Sequence, residues 1–273
     1  MNIGVIGVGN MGRILTEALL DEEAISPSAV TIVNRTKKKA LELKNIYEEI
    51  TVANNAKEVA ILSNLIFICV KPMDVSDVIH DILPYLSDDK CIVSITSPVS
   101  VKQLESVVNC SVARAIPSIT NRAKAGVSLI TFGNNCKPGW KKKLTQLFRK
   151  ISVPVEIGDN VTRVASDISS CGPAFFSYLT QRFITAAVKE TEIDYNTAVT
   201  LTSEMLIGLG ELLKNRYFTL QTLQEKVCVK GGITGEGIKV FEEELGDVFE
   251  HLFMATHQKF NNELEKVKKQ FPL

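Results

Sequence analysis

The chain has 273 residues, with 31 basic against 31 acidic side chains, and is 45% hydrophobic. That length suits two domains, the apolar content excludes a disordered chain, and zero formal charge removes the electrostatic footprint of a nucleic-acid binder. Its longest apolar run, Leu65 to Val70, is far short of the roughly 20 residues that span a bilayer. With no basic region and small-residue cleavage site at its start, the chain reads as cytoplasmic.

In chain order, Asn2–Gly7 reads as a strand, Met11–Leu20 as a helix, Val30–Val33 as a strand and Thr36–Tyr47 as a basic helix. Lys57–Leu62 is a short helix, Leu65–Val70 a fully apolar strand, Val75–Leu83 a helix and Cys91–Thr96 a strand. Val101–Val107 (helix), Ser111–Ala115 and Gly126–Phe132 (strands), the helix from Pro138 to Lys150 and the strand Val153–Ile157 complete this half. Short β-branched runs alternating with helices predict βαβ units on a parallel sheet.

Beyond about residue 160 the strand-like runs stop. Val161–Glu190 is a long helical pattern with a kink expected at Gly172-Pro173, where proline removes an N–H and its ring clashes with the preceding turn. Thr197–Asn215, Leu220–Val227 and Gly237 to about Lys269 read as further helices. The expected fold is therefore α/β: a Rossmann dinucleotide-binding domain over residues 1–160, then an all-helical substrate and dimerisation domain over 161–273.

Gly7-Val8-Gly9-Asn10-Met11-Gly12 fits G-x-G-x-x-G in the setting the motif requires, after an apolar strand and at the opening of a helix. Gly7 permits the tight turn, Gly9 admits a pyrophosphate, and Gly12 lets helix and strand pack closely. The helix start then offers free N–H groups and partial positive charge. An NAD site places a carboxylate at the end of the second strand; here stand Asn34-Arg35-Thr36, followed by Lys37–Lys39. A guanidinium fork and a hydroxyl suit a 2′-phosphate, so NADPH is preferred over NADH. The other lysine triplet, 141–143, reads as a solvated face. The six cysteines have no CxxC spacing, and His80, His251 and His257 show no ligand pattern, so no metal site or disulfide framework is expected.

Taken in order, Gly7–Gly12, Asn34-Arg35-Thr36, Cys69-Val70-Lys71-Pro72, Gly172-Pro173-Ala174 and Gly231-Gly232-Ile233-Thr234 resemble the pyrroline-5-carboxylate reductase family over nearly the whole chain. Within that family the chain is similar to a bacterial late-competence branch. The resemblance implies NADPH-dependent reduction of a cyclic imine, pyrroline-5-carboxylate, to L-proline. It also implies a homodimer as the minimum unit, with helical domains interleaved so that two chains build each site.

Carried over by position, Gly7, Gly9, Asn10, Met11, Gly12, Asn34, Arg35 and Thr36 hold the cofactor phosphates, and Val70, Lys71 and Pro72 border the cofactor. Asn55 corresponds to a cofactor-contacting asparagine, one position out of register. Gly231, Gly232 and Thr234 present N–H groups and a hydroxyl to the substrate, with Thr234 positioned to pass a proton to the ring nitrogen.

The departures fall on the substrate side. The family's Ser-Gly-Ser-Gly-Pro-Ala is Ser169-Ser170-Cys171-Gly172-Pro173-Ala174 here, and its Thr-Ser-Pro-Gly-Gly-Thr-Thr is Cys228-Val229-Lys230-Gly231-Gly232-Ile233-Thr234. Met-Pro-Asn-Thr-Pro becomes Ile116-Pro117-Ser118-Ile119-Thr120, and Ala-Ala-Gly becomes Thr96-Ser97-Pro98. Lys230 is either a contact for a second carboxylate or larger anion, or a solvated loop residue. Cys171 and Cys228 are either site-lining thiols or small packing residues, and Glu236 either complements a helix dipole or meets substrate. Three functions follow: the imine reductase, a reductase of a related imine or keto acid, and an NADPH-binding regulatory protein with altered or lost catalysis.

Overall fold

A computed structural model describes residues 1–271. By compactness the chain forms two units: Met1–Pro173 joined by the chain from Ala255 onward, and Ala174–Met254.

The first unit is built on an eight-stranded sheet: β1 (Ile3–Ile6), β2 (Val30–Val33), β3 (Thr51–Val52), β4 (Leu65–Ile68), β5 (Cys91–Ser94), β6 (Ser111–Ile116), β7 (Val127–Phe132) and β8 (Val153–Glu156). Their order is β3-β2-β1-β4-β5-β6-β7-β8. The first six strands are parallel; β7 runs antiparallel to β6 and β8 parallel to β7. The connecting helices are α1 (Asn10–Asp21), α2 (Lys37–Ile46), α3 (Ala56–Leu62), α4 (Val75–Ile82), α5 (Val101–Glu105) and α6 (Pro138–Arg149).

Both sheet faces are covered, which is why β4 is apolar at every position. Leu65 and Phe67 enter a cluster with Leu15 and Leu19 of α1 and with Trp140, Leu144 and Phe148 of α6. Ile66 and Ile68 enter the opposite cluster with Val59, Ile79 and Leu104, and the last described residues, Val267 and Phe271, are buried there too. The Phe67 and Phe148 rings meet edge-to-face at 6.2 Å. Alternate residues of one strand thus serve two cores.

The long helical pattern after residue 160 is resolved into α7 (Thr162–Ser166), a five-residue π turn at Asp167–Cys171, and α8 (Gly172–Glu190). The register change falls immediately before Pro173, which has no N–H for the carbonyl four residues back. The second unit continues from α8 with α9 (Tyr195–Lys214), α10 (Leu220–Val227), α11 (Ile233–Glu244) and the start of α12 (Val248–Lys268). Phe176, Tyr178, Phe183, Leu201, Ile207, Phe241 and Met254 of this unit are exposed. No described helix is long and apolar enough to cross a membrane.

Three features differ from the sequence reading. The single helix expected from Gly237 to about Lys269 is two, α11 and α12, separated around Gly246, whose φ is +48°. The helix expected from Gly237 opens four residues earlier, because α11 starts at Ile233 directly after Gly232. And compactness does not divide the chain at 160/161. Arg114 of β6 ties Asp159 and Thr162 to the sheet, Ser170 Oγ donates to the Pro117 carbonyl at 3.2 Å, and Thr256 of α12 donates to Asp167 at 2.8 Å. These bonds hold α7, the π turn and the second half of α12 in the first unit.

Candidate functional site

The loops at the carboxyl edge of the sheet gather most of the residues expected to hold a cofactor. Ile6 pairs with Val33 on one side and Ile68 on the other, so the turns after β1, β2 and β4 leave the sheet side by side. At the first turn Gly7 has φ +100°, and a Cβ there would lie 2.5 Å from the Cys69 carbonyl oxygen. At Gly12 a Cβ would lie 2.0 Å from the Gly7 carbonyl oxygen and 2.8 Å from Cys69 Cβ. These glycines let α1, the turn and the β4 loop come into backbone contact. Gly9 is different: a Cβ there would meet nothing within 4 Å. No side chain caps the start of α1 and no acidic residue stands in its first turn. Half-buried Gly9 and Met11 and exposed Asn10 thus frame an open cradle beside free N–H groups, which fits a pyrophosphate.

Asn34 braces this turn. Its Oδ1 accepts from Val8 N at 3.0 Å, while its Nδ2 donates to the Thr36 carbonyl at 3.0 Å. The amide is therefore structural, joining the turns after β1 and β2. Arg35 and Lys37–Lys39 are exposed, and none pairs with a carboxylate among the described residues. Thr36 stands at the start of α2 without using its hydroxyl as a cap. A guanidinium and a hydroxyl thus face solvent beside the phosphate turn, a donor set that fits a 2′-phosphate.

Asn55 is committed elsewhere. Its Oδ1 caps α3 by accepting from Glu58 N at 3.0 Å, and its Nδ2 lies 3.4 Å from Glu58 Oε1. The out-of-register match is explained by this N-cap role. Val70 and Pro72 are half-buried and Lys71 exposed; Pro72 opens a short 3₁₀ turn, Pro72–Asp74, after β4.

Two polar clusters in the first unit were not anticipated. Arg114, 2% exposed, donates to the Ser97 carbonyl at 3.1 Å, Thr131 Oγ1 at 3.1 Å, Asp159 Oδ1 at 2.8 Å and Thr162 Oγ1 at 2.6 Å. Burial pushes its guanidinium pKa down, and Asp159 pushes back. The arginine thereby fixes the substituted loop Thr96-Ser97-Pro98. An arginine inside the apolar run of β6 was the only sequence signal for it. In the second cluster Arg163 pairs with buried Asp167 at 2.8 Å, approaches half-buried Cys171 Sγ at 3.3 Å and lies over the Phe260 ring.

The remaining candidates lie in the second unit. Gly231 has φ +74°, Gly232 N donates to the Val229 carbonyl at 2.9 Å, and Gly232 stands at the start of α11 with no side-chain cap. Lys230, Gly231 and Thr234 are exposed, Gly232 half-buried, and Ile233 is 92% exposed. The Gly232 N–H expected to meet substrate is thus already committed, but Gly231, Ile233 and Thr234 present N–H groups beside the Thr234 hydroxyl and an ammonium on one short segment, an anion-binding arrangement. Glu236 stands in the first turn of α11, where a carboxylate is favoured, and pairs with Lys239 at 2.8 Å. Cys228 terminates α10 and is half-buried.

Residues 159–263 match the family model for pyrroline-5-carboxylate reductase dimerisation, and residues 2–98 match that of the NADP oxidoreductase, coenzyme F420-dependent, family. The chain is 52% identical to ComE operon protein 4 of Bacillus subtilis (strain 168) over 271 residues, covering 99% of each chain. It is 32% identical to pyrroline-5-carboxylate reductase 3 of the same strain over 269 residues, covering 98% of each. Among solved structures, pyrroline carboxylate reductase of Plasmodium falciparum, with NADP bound, superposes with a TM-score of 0.81 at 23% identity, covering 99% of this chain and 98% of that one.

Proposed function

The chain belongs to the pyrroline-5-carboxylate reductase family, and from that premise we propose that it reduces pyrroline-5-carboxylate to L-proline with NADPH. The fold is an N-terminal Rossmann-like NADP-binding domain followed by a helical dimerisation domain. The observation that carries the proposal is the glycine turn, with its open cradle at Gly9 and uncapped helix start, on a chain that also carries the family's dimerisation sequence.

In this reading Gly7, Gly9, Asn10, Met11 and Gly12 receive the pyrophosphate, with Arg35 and Thr36 on the 2′-phosphate. Asn34 acts as the brace behind them, and Asn55 serves its helix. Bound NADPH supplies the hydride that the imine carbon takes up. Gly231 holds the substrate carboxylate through its backbone N–H, Gly232 shapes the loop with its own N–H kept on the Val229 carbonyl, and the Thr234 hydroxyl hydrogen-bonds the ring nitrogen and delivers its proton. Cys171 lines the site rather than reacting. The exposed apolar side chains of the helical unit support a homodimer, working in the cytoplasm.

A second reading is favoured by a specific feature. Lys230 is exposed beside the substrate loop, with no carboxylate paired to it among the described residues. An ammonium there selects an imine or keto acid with a further anionic group. A third possibility, NADPH binding without efficient turnover, rests on the altered residues at Cys171 and Cys228–Lys230. One assay separates all three: purified protein with NADPH and a panel of cyclic imines, followed at the cofactor's absorbance. Turnover on pyrroline-5-carboxylate supports the first reading, turnover only on more anionic substrates the second, and tight NADPH binding without turnover the third.

Two variants sharpen the assignment. Arg35→Ala is expected to weaken NADPH binding about 10- to 100-fold, the worth of a charge-assisted hydrogen bond, while leaving NADH affinity unchanged in the same titration. Thr234→Ala is expected to lower kcat about 100-fold, at the low end for a lost proton donor, with the KM for NADPH unaltered. An unchanged kcat would remove Thr234 from the chemistry.

A further inference from the structure

The last described residues return to the first unit and reach the turn that follows β4. Gln270 Nε2 donates to the Met73 carbonyl at 2.9 Å, across 197 residues of sequence. Ser76 Oγ, at the start of α4, donates to the Gln270 carbonyl at 3.3 Å. On either side Val267 (0% exposed) and Phe271 are buried in the cluster that includes Val75 and Ile79, with Val70 packed against it. The segment is therefore held by apolar burial, and its one amide side chain is turned onto the backbone of the Pro72–Asp74 turn.

No side chain caps that turn: it is held by two backbone bonds, Asp74 N to the Lys71 carbonyl at 2.9 Å and Val75 N to the Pro72 carbonyl, and Gln270 supplies the side-chain bond to Met73. Upstream it is continuous with Cys69 and Val70, against which the glycine turn packs. A shift at Met73 would be passed to Val70–Pro72 along three rigid residues, one of them proline.

The Gln270 amide is also satisfied on one side only. Its Oε1 is buried with no partner among the described residues. Leaving a buried acceptor unpaired costs stability, so a merely structural residue at this place would be better apolar. The unpaired acceptor is the cost at which the Nε2 bond to Met73 is held, and such a cost is expected where the geometry of a site requires it.

We propose that Gln270 is a positioning residue that sets the Lys71–Asp74 turn for cofactor binding, with Val267–Phe271 as the latch that carries it. The proposal rests on the reading that Val70–Pro72 borders NADPH. Gln270→Met keeps the size of the side chain and removes both the donor and the orphaned acceptor. NADPH affinity, measured by fluorescence on the full chain, is expected to fall about three- to tenfold, the worth of one neutral hydrogen bond. The KM for NADPH rises in proportion while kcat stays within about twofold, and the urea midpoint is unchanged or higher. Amide exchange at Asp74 in cofactor-free protein is expected to be faster than in the wild type. Unchanged NADPH affinity with unchanged Asp74 exchange overturns the proposal, as does a loss of affinity matched by a loss of stability. If the wild type binds no NADPH the cofactor reading fails by itself, and the Asp74 exchange of the variant then decides the latch. Gln270→Leu, which likewise removes both the donor and the orphaned acceptor, gives the same readouts should the Met variant not fold.

Discussion

Gly9→Ala is expected to weaken NADPH binding about 100-fold or more while leaving the urea midpoint unchanged, and Gly12→Ala to lose both binding and stability. The two glycines stand three residues apart in one motif, yet opposite physics governs them. At Gly9 the added methyl meets no protein atom within 4 Å, and the residue sits at φ −69°, which alanine adopts freely. The folded protein has no reason to notice the change. A pyrophosphate does, because the methyl stands in the cradle beside the N–H groups of α1 and holds the phosphate off by more than a hydrogen bond tolerates. At Gly12 the methyl falls 2.0 Å from a carbonyl oxygen of the same turn. Neither atom ends a flexible side chain, so α1 or the turn must move. Overpacking of this kind costs about 1–3 kcal/mol or more. Urea unfolding and NADPH titration on both variants check the pair. A Gly9→Ala protein that binds NADPH normally would remove the turn from cofactor binding, whatever Gly12→Ala does.

Asp159→Ala is expected to destabilise the protein by about 1–3 kcal/mol, the cost of leaving a buried donor short of its partner, and Arg114→Met by distinctly less. The asymmetry follows from burial. The Arg114 side chain is 3% exposed and that of Asp159 39%. Removing the carboxylate leaves a buried guanidinium with a carbonyl and two hydroxyls as partners, and only water entering at the vacated Asp159 position to offset the lost charge. Removing the arginine leaves a carboxylate already part-way into solvent, and methionine refills much of the space. Urea midpoints of the two variants provide the comparison. Equal losses would mean that geometry rather than charge sets the value of the pair. Because Arg114 also fixes the Ser97 carbonyl, Arg114→Met loosens the loop after β5 even where it unfolds little.

The parts of the structure legible in the sequence are those fixed by neighbours in the chain. The glycine spacing, the change from period two to period 3.6, and the Asn34-Arg35-Thr36 ending of β2 are local patterns, and the cofactor edge they predict is gathered in the fold. Asn55 shows the limit: a motif residue one place out of register is a helix cap, a role just as local that needed Glu58 to be read with it. The break at Gly246 was hidden because an amphipathic pattern runs through it, and an isolated glycine in such a pattern is usually tolerated. The glycines misled the other way, since Ile233 to Glu236, ahead of the helix expected from Gly237, lie inside α11. The Arg114 network and the Gln270 bond could not be seen at all. Their partners lie 17 to 48 and 197 residues away, and a single sequence carries no record of such distances.

The burial of Val267 and Phe271 has a consequence for how the protein is made. Everything else in their cluster, from Ile6 to Val112, is synthesised before Pro173, and the chain then makes Ala174–Met254 before returning. At ~5–20 residues per second the two side chains that close that core arrive roughly 8–30 s after the rest of it. During that interval the nascent first unit carries an uncovered apolar seam beside α4. Its folding is therefore completed by the returning segment that carries Val267 and Phe271 rather than by its own first half, and a ribosome stalled within the helical unit would hold out a sheet domain with one side unsealed.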